Sequence, residues 1–317
     1  MAVMAVVDMQ ASLLQAVRSI VPPLSHASHK GQAGRIGVIG GSLEYTGAPY
    51  FAAITAMRAG ADLSHVFCPE EAAPVIKSYS PELIVHPLLN ASGDMSSVLE
   101  GVSQWLPRLN ALVVGPGLGR EASQMTNVKH LLQRARERQM DMVIDADGLY
   151  LVTQSPECVT DYSRVILSPN AIEFQRLYHK MFGHNPEPSG DMQEQTRALA
   201  ETLGNLTILR KGATDIISNG QQVIECTEVG CPRRCGGQGD LLSGLTALLY
   251  FWARQAQDRL SSDTSLPPSM VACFGASFLI KKCAEQAFNK HHRSMLAGDM
   301  VTEIPTAFQK YLELTEQ

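Results

Sequence analysis

The chain has 317 residues, of which 45% are hydrophobic, 18% charged and 6% aromatic, a globular profile that excludes a disordered, collagen-like or disulfide-stapled polypeptide. Its 26 Lys and Arg against 31 Asp and Glu leave a net charge of −5 with no long basic run, which argues against nucleic-acid or membrane-surface roles. Length alone fits one large α/β domain or two average ones.

Residues 1–7 are apolar, but Asp8 interrupts them and no basic stretch precedes them, so they read as neither a secretory signal nor a membrane span. Within 9–21, Leu13, Leu14, Val17, Ile20 and Val21 recur at helical spacing until Pro22 and Pro23. This predicts an N-terminal helix and lead-in over 1–23, ahead of one domain over 24–317. Strands are then predicted at 36–39, 63–67, 83–86, 111–114, 142–145, 165–167 and 207–210, with helices at 49–61, 98–106 and 127–138. The strand runs are continuously apolar, as strands buried on both faces are. The prediction is an α/β fold with a mostly parallel central sheet and helices on both faces. Asn219-Gly220 between two β-type runs predicts a hairpin with a type I′ turn. From Gly239 onward, Leu241, Leu242, Leu245, Leu248, Leu249 and Trp252 form the apolar stripe of a core helix. The linker-like stretches 183–190 and 259–268 are too short and too late to separate two sheets.

Absent motifs narrow the chemistry. There is no P-loop, no G-x-S-x-G elbow and no H-E-x-x-H, and Arg120 stands where a dinucleotide fingerprint over Gly115-Pro-Gly117-Leu-Gly119 needs a small residue. The seven cysteines suit a reducing compartment, and Cys231 and Cys235 lack the second pair that a structural zinc site requires. The nine histidines show no ligand spacing, and His291-His292 reads as solvated.

What remains is a set of glycine clusters after strands, where an open α/β sheet binds ligands. In Gly236-Gly237-Gln238-Gly239-Asp240 the glycines let the backbone approach a ligand, and the helix that follows offers free N–H groups and a positive end to a polyphosphate. A side chain at Gly237 is expected to obstruct that phosphate. Asp240 reads either as a carboxylate complementing the helix dipole or as a general base for a hydroxyl attacking a phosphoryl group. Lys211 can meet a phosphate and Gly212 admit an adenosine, against the competing reading of an ordinary strand-to-turn junction. Asp145 and Asp147, just past a strand end, can hold a hydrated magnesium, with a helix cap at Asp147 as the rival. Pro169, Asn170 and Glu173 suit a strand-to-helix junction.

Further motifs, in chain order, are Gly34-Arg-Ile-Gly-Val-Ile-Gly-Gly41, Tyr45-Thr-Gly-Ala-Pro-Tyr50, Gly60-Ala-Asp-Leu63, Val113-Val-Gly-Pro-Gly-Leu-Gly119, Ile144-Asp-Ala-Asp-Gly148 and Ser168-Pro-Asn-Ala-Ile-Glu-Phe174. With Lys211-Gly212 and Gly236-Gly-Gln-Gly-Asp240 they make the chain resemble the ATP-dependent NAD(P)H-hydrate dehydratases, a branch of the ribokinase-like superfamily. The resemblance implies dehydration of (6S)-NADHX and (6S)-NADPHX to NADH and NADPH, with ATP as co-substrate and Mg2+, through phosphorylation of the C6 hydroxyl and elimination.

By position it makes Asp240 the catalytic base, with Gly237 and Gly239 in an anion hole. Its ATP-binding residues are Lys211, Gly212, Ala213, Thr214 and Asp215, then Gly230, Cys231, Pro232, Arg233, Arg234, Cys235, Gly236, Gly237, Gln238 and Gly239. Its hydrate-binding residues are Gly117, Gly119, Asn170, Ala171, Ile172, Glu173, Phe174, Gln175, Arg176 and Asp240. Some relatives carry His where this chain has Asn170 and a hydroxyl residue where it has Gln238. Also implied are a functional partner, NAD(P)H-hydrate epimerase, a homo-oligomer, and a cytoplasmic location with a mitochondrial form where a longer transcript adds a targeting segment. No nucleic-acid or membrane partner is expected. The rival readings are a kinase of a small alcohol, of the hydroxyethylthiazole type, and a non-catalytic nucleotide-binding partner of a metabolic enzyme.

Overall fold

The computed structural model describes residues 2–90 and 95–313; Met1 and the predicted domain's last residues, 314–317, lie outside them. The first elements are α1 (Ala2–Ile20), β1 (Arg35–Ile39), α2 (Gly47–Arg58), β2 (Leu63–Cys68), α3 (Ala73–Tyr79), β3 (Ile84–Pro87), α4 (Met95–Ser103), β4 (Ala111–Val114) and α5 (Ala122–Glu137). Then come β5 (Asp141–Ile144), α6 (Asp147–Gln154), β6 (Val165–Leu167), α7 (Ala171–Phe182), α8 (Met192–Thr202) and β7 (Thr207–Arg210). The chain continues with β8 (Asp215–Ser218), β9 (Val223–Cys226), α9 (Gln238–Gln255), α10 (Gln257–Asp263), α11 (Pro268–His291) and α12 (Ala297–Tyr311).

Nine strands form one sheet in the order β3-β2-β1-β4-β5-β6-β7-β8-β9. Neighbours are parallel from β3 through β7, and the last two strands are antiparallel. Alternate residues of each strand enter opposite cores. Val38, Val66, Val113, Val143 and Ile166 face the core built with α1, α2, α9, α11 and α12. Ile39, Phe67, Val114, Ile144 and Leu167 face the core under α4 to α8. With both faces covered, the strand sequence cannot alternate with polar residues, which explains the continuous apolar runs. α1 is part of this body, since Leu13, Ala16, Val17 and Ile20 are buried in the first core.

The chain leaves β1 in one direction, to β2 and β3, and resumes beside β1 with β4. The carboxyl ends of β1 and β4 therefore flank the topological switch point, where open α/β sheets place ligands.

Three differences from the sequence reading have local causes. The hairpin turn is not type I′: Gly220 has φ +83° while Asn219 is not among the positive-φ residues, and pairing of Ser218 with Val223 makes Gly220-Gln221 the central pair. Positive φ at the first central residue alone is the type II′ pattern. The Asn219 side chain instead accepts from the Gln221 and Gln222 N–H groups. Residues 259–263 of the supposed second linker are helical, as the end of α10. Finally, a histidine pair to which the sequence reading gave no role is structural: the rings of His65 and His86 stack 5.3 Å apart and share a 3.0 Å hydrogen bond beside Trp105. Burial lowers both imidazoles, His86 to about 4.

Candidate active site

Asp145, Asp147 and Lys211 each follow a strand's carboxyl end. After β5, Asp145 is 1% exposed and Ala146 takes φ +49° and ψ −121°, a strained conformation that turns Asp145 and Asp147 in different directions. Asp147, the first residue of α6, does not cap the helix. Its Oδ2 accepts from the Gly119 N–H at 3.0 Å and its Oδ1 from Arg120 Nε at 2.9 Å, which ties the loop after β4 to the start of α6. The other carboxylate, Asp145 Oδ1, accepts from Lys211 Nζ at 2.5 Å across β6 and β7, and Asp145 Oδ2 faces Gly239.

α9 starts in the middle of this edge. Its N-cap, Gly237, is left-handed at φ +95° and supplies no side-chain cap. The N–H groups of Gln238, Gly239 and Asp240 have no acceptor among the described residues, so three donors and the helix's positive end point outward.

A cavity opens on each side of this turn. The one on the β7 side, about 420 Å³, has Lys211, Gly212, Gly230, Arg234, Gln238 and Gly239 at its polar end and Leu242, Ile280, Ala284 and Met300 as an apolar wall. The other, about 780 Å³, is lined by Gly117, Gly119, Asp147, Glu173, Gly236, Gly237 and Asp240, with Tyr45 and Phe51 opposite. Asp240 and Gly239, adjacent in one helical turn, thus face different cavities, with the unbonded N–H groups between them.

Three carboxylates, Asp145, Glu173 and Asp240, act on the Lys211 ammonium, and a fourth, Asp147, is paired with Arg120. Burial pushes the Asp240 carboxyl up to about 8, and the charge of Asp145 adds to this while Lys211 opposes it. Burial raises Glu173 as well, again against Lys211. For Lys211, burial pulls the ammonium down, but Asp145, Glu173 and Asp240 outweigh it and hold the pKa above its ordinary value. A carboxyl group at the mouth of a cavity and poised near neutrality is the form a general base takes.

The residues named from sequence separate into groups. Lys211, Gly212, Asp215, Gly230, Cys231, Arg234, Cys235, Gln238 and Gly239 line the first cavity, and Gly117, Gly119, Glu173, Gly236, Gly237 and Asp240 the second. Asn170 borders the first cavity, not the second, and its Oδ1 is occupied with the Ile172 and Glu173 N–H groups in a capping box closed by Glu173. Phe174 corrects the sequence reading: it is 0% exposed in the core beneath α7, with the Arg210 guanidinium 4.0 Å above its ring, so it cannot touch a ligand. Ile172, Gln175 and Arg176 line a separate groove between α6 and α7. Ala171, Ala213, Thr214, Pro232 and Arg233 line none of these spaces.

Missed from sequence were Ser277 and Lys281 of α11, which border the first cavity. Ser277 Oγ donates to Asp215, Lys281 Nζ lies 3.3 Å from Asp215 Oδ2 and donates to the Ala213 carbonyl, and together they hold the turn after β7. Their one sequence signal is a hydroxyl inside the apolar run 270–280 and the first of the two lysines that end it.

The reason for Gly237 also changes. A Cβ there meets the Ala297 Cβ at 2.6 Å and the Phe51 ring on the wall of the second cavity, so packing rather than a phosphate excludes it, whereas at Gly236 it meets nothing within 4 Å. Gly237→Ala is therefore expected to cost about 1–2 kcal/mol for the left-handed backbone alone, and more for the clash. Calorimetric melting should show a drop of several degrees for Gly237→Ala and none for Gly236→Ala.

Residues 36–306 match the family model described as NAD(P)H-hydrate dehydratase. The chain belongs to that family. It is 52% identical over 306 residues to the human ATP-dependent (S)-NAD(P)H-hydrate dehydratase, covering 96% of this chain and 86% of the human one. Among solved structures, a ribokinase-like superfamily protein from Enterococcus faecalis aligns with a TM-score of 0.77 at 20% identity over 95% of each chain. The ADP/ATP-dependent NAD(P)H-hydrate dehydratase from Bacillus subtilis, co-crystallized with ATP/Mg2+, aligns at 0.66 and 21% identity, covering 94% of this chain and 97% of that one. At those identities the structural likeness establishes the ribokinase-like fold, and the dehydratase family rests on sequence.

Proposed function

We propose that the protein converts the (S) hydrates of NADH and NADPH back to the intact cofactors, cleaving ATP to ADP and phosphate. The observation that carries this is the pair of cavities meeting at the start of α9, with Asp240 on one side and Gly239 and Lys211 on the other. ATP fits the first cavity, its base against Leu242, Ile280, Ala284 and Met300 and its phosphates toward Lys211 and the α9 N–H groups. The hydrate ring fits the second, with its C6 hydroxyl at Asp240.

Asp240 takes the hydroxyl proton as the C6 oxygen attacks the γ-phosphorus, and ADP leaves. The unbonded N–H groups of Gln238, Gly239 and Asp240 meet the charge that develops on the transferring phosphoryl oxygens. The ring nitrogen lone pair then breaks the C6–O bond, phosphate departs with both electrons, and loss of the C5 proton restores the dihydropyridine.

The residues also fit magnesium. No group of three or more His, Cys, Asp or Glu is set to hold a metal by itself among the described residues. Asp145 Oδ2 nevertheless has no partner among them and faces the Lys211 end of the first cavity. One carboxylate, with phosphates and water completing the shell, is the usual magnesium arrangement. Asp145 is the proposed holder, and the ion supplies positive charge against the phosphates.

The family's sequence, 52% identical to the human relative, supports the dehydratase over a kinase that stops at the phosphoester. Incubation with ATP and the (S) hydrate of NADH should restore NADH absorbance with one free phosphate per turnover. Accumulation of a stable phosphorylated hydrate would overturn the proposal. An epimerase acting on the (R) hydrate is the proposed functional partner, because it alone would carry both epimers to this site. The seven free thiols suit the proposed cytoplasmic location.

A further inference from the structure

The groove between α6 and α7 belongs to neither cavity. It encloses about 780 Å³, and its lining includes Arg120, Tyr150, Ile172, Arg176, His179 and Lys180. Its lining holds three permanent cations and no carboxylate. Among the described residues, no carboxylate lies within 4 Å of the Arg176 or Lys180 charge.

The neighbouring Asp240 cavity has the opposite character. Glu44, Asp147, Glu173 and Asp240 line it against Arg120 alone. A dinucleotide whose reacting ring sits at Asp240 carries two backbone phosphates, and in one form a third on the distal ribose. The acidic cavity disfavours every one of them. Arg120 lines both spaces, so the two adjoin at its side chain. Its Nε is fixed on Asp147 and its guanidinium lies 4.6 Å from the Tyr150 ring centre, while its two terminal nitrogens have no acceptor among the described residues. Beyond it the cations follow α7 outward, from Glu173 at the reacting end to Arg176 and then Lys180, about 10 Å of helix rise.

We infer that this groove receives the adenylate half of the hydrate, with Arg120 at the diphosphate and Lys180, backed by Arg176, at the 2′-phosphate that distinguishes NADPHX from NADHX. The assignment rests on the hydrate being the substrate. It makes Lys180 a specificity-determining residue two helical turns from the chemistry.

Lys180 is exposed at the surface and its removal leaves the fold unstrained. Lys180→Ala is expected to raise KM for NADPHX about tenfold, the value of one charge-assisted contact, with KM for NADHX, kcat and KM for ATP each within about twofold of the wild type. An equal change for both hydrates, or none for either, overturns the assignment while leaving the dehydratase reading intact. A binding experiment decides the groove without turnover: calorimetric titration of the intact protein with adenosine 2′,5′-bisphosphate and with AMP. The bisphosphate should bind more tightly than AMP, lose that advantage in Lys180→Ala, and not be displaced by a non-hydrolysable ATP analogue. Displacement by the analogue, or equal binding of the two adenylates, overturns it. Absence of repair of both hydrates by the wild type would remove the proposed function, and the titration would still decide what the groove binds.

Discussion

Asp240→Asn is expected to lower turnover by roughly 10²–10⁴-fold while leaving ATP affinity unchanged, because the amide keeps the shape of the side chain but cannot take the hydroxyl proton. The wild-type pH profile should rise as pH passes through about 8, where Asp240 ionises, and the residual activity of the variant should lack that rise. The same group carries an opposite signature in stability. Its folded pKa lies far above the ordinary 3.8, so the folded state holds a proton that the unfolded state releases. That contribution is full below about pH 4 and is lost as pH rises toward 8. Asn cannot ionise, so the variant should melt higher than the wild type by a few degrees, with a gap that widens from pH 6 to pH 9. Calorimetry at both pH values checks the sign. Wild-type turnover would dismiss Asp240 as the base, and a pH-independent gap in melting temperature would dismiss the buried charge.

This opposition between activity and stability explains why parts of the site are legible in the sequence and others are not. The glycine run before Asp240 is readable because a left-handed Gly237 and a helix start are local events governed by residues within one turn. The parallel sheet is readable for a similar reason: strands buried on both faces must be apolar throughout, as β4 and β5 are. What places Asp240 near neutrality is non-local. Asp145 arrives from β5, Glu173 from α7 and Lys211 from the end of β7, and no spacing rule connects them. The same holds for Lys281, distant in sequence from the turn it secures, and for Phe174, which a motif places at the site and a helical face turns into the core. Asn170 is the intermediate case. Its capping geometry is written in the Asn-x-x-Glu spacing, and that local role occupies the side-chain oxygen a ligand would otherwise use.

Lys211→Met tests how far this charge cluster is a single unit. Lys211 is the one cation within 4 Å of Asp145 among the described residues, and the Asp145 side chain is 2% exposed. Removing the ammonium leaves a buried carboxylate unpaired, at a cost of about 3 kcal/mol, visible as a melting point lower by more than 5 °C or so. ATP affinity should fall at least about tenfold, since the only lysine lining the phosphate end of the cavity besides Lys281 is lost. Lys211 also holds the Asp240 carboxyl down, so the pH profile of the residual activity should move to higher pH in the single variant. The double variant Lys211→Met, Asp145→Asn separates pairing from phosphate binding. It removes both charges, which should restore most of the melting temperature, and because Asp145 raises the Asp240 carboxyl, the profile should move to lower pH than that of the single variant. ATP affinity should stay low, because restoring neutrality does not restore a donor for the phosphates. A double variant as unstable as the single one would mean that Lys211 stabilises the fold through contacts other than Asp145. Recovered ATP affinity would mean that the lysine serves the pair alone and the α9 N–H groups carry the nucleotide without it.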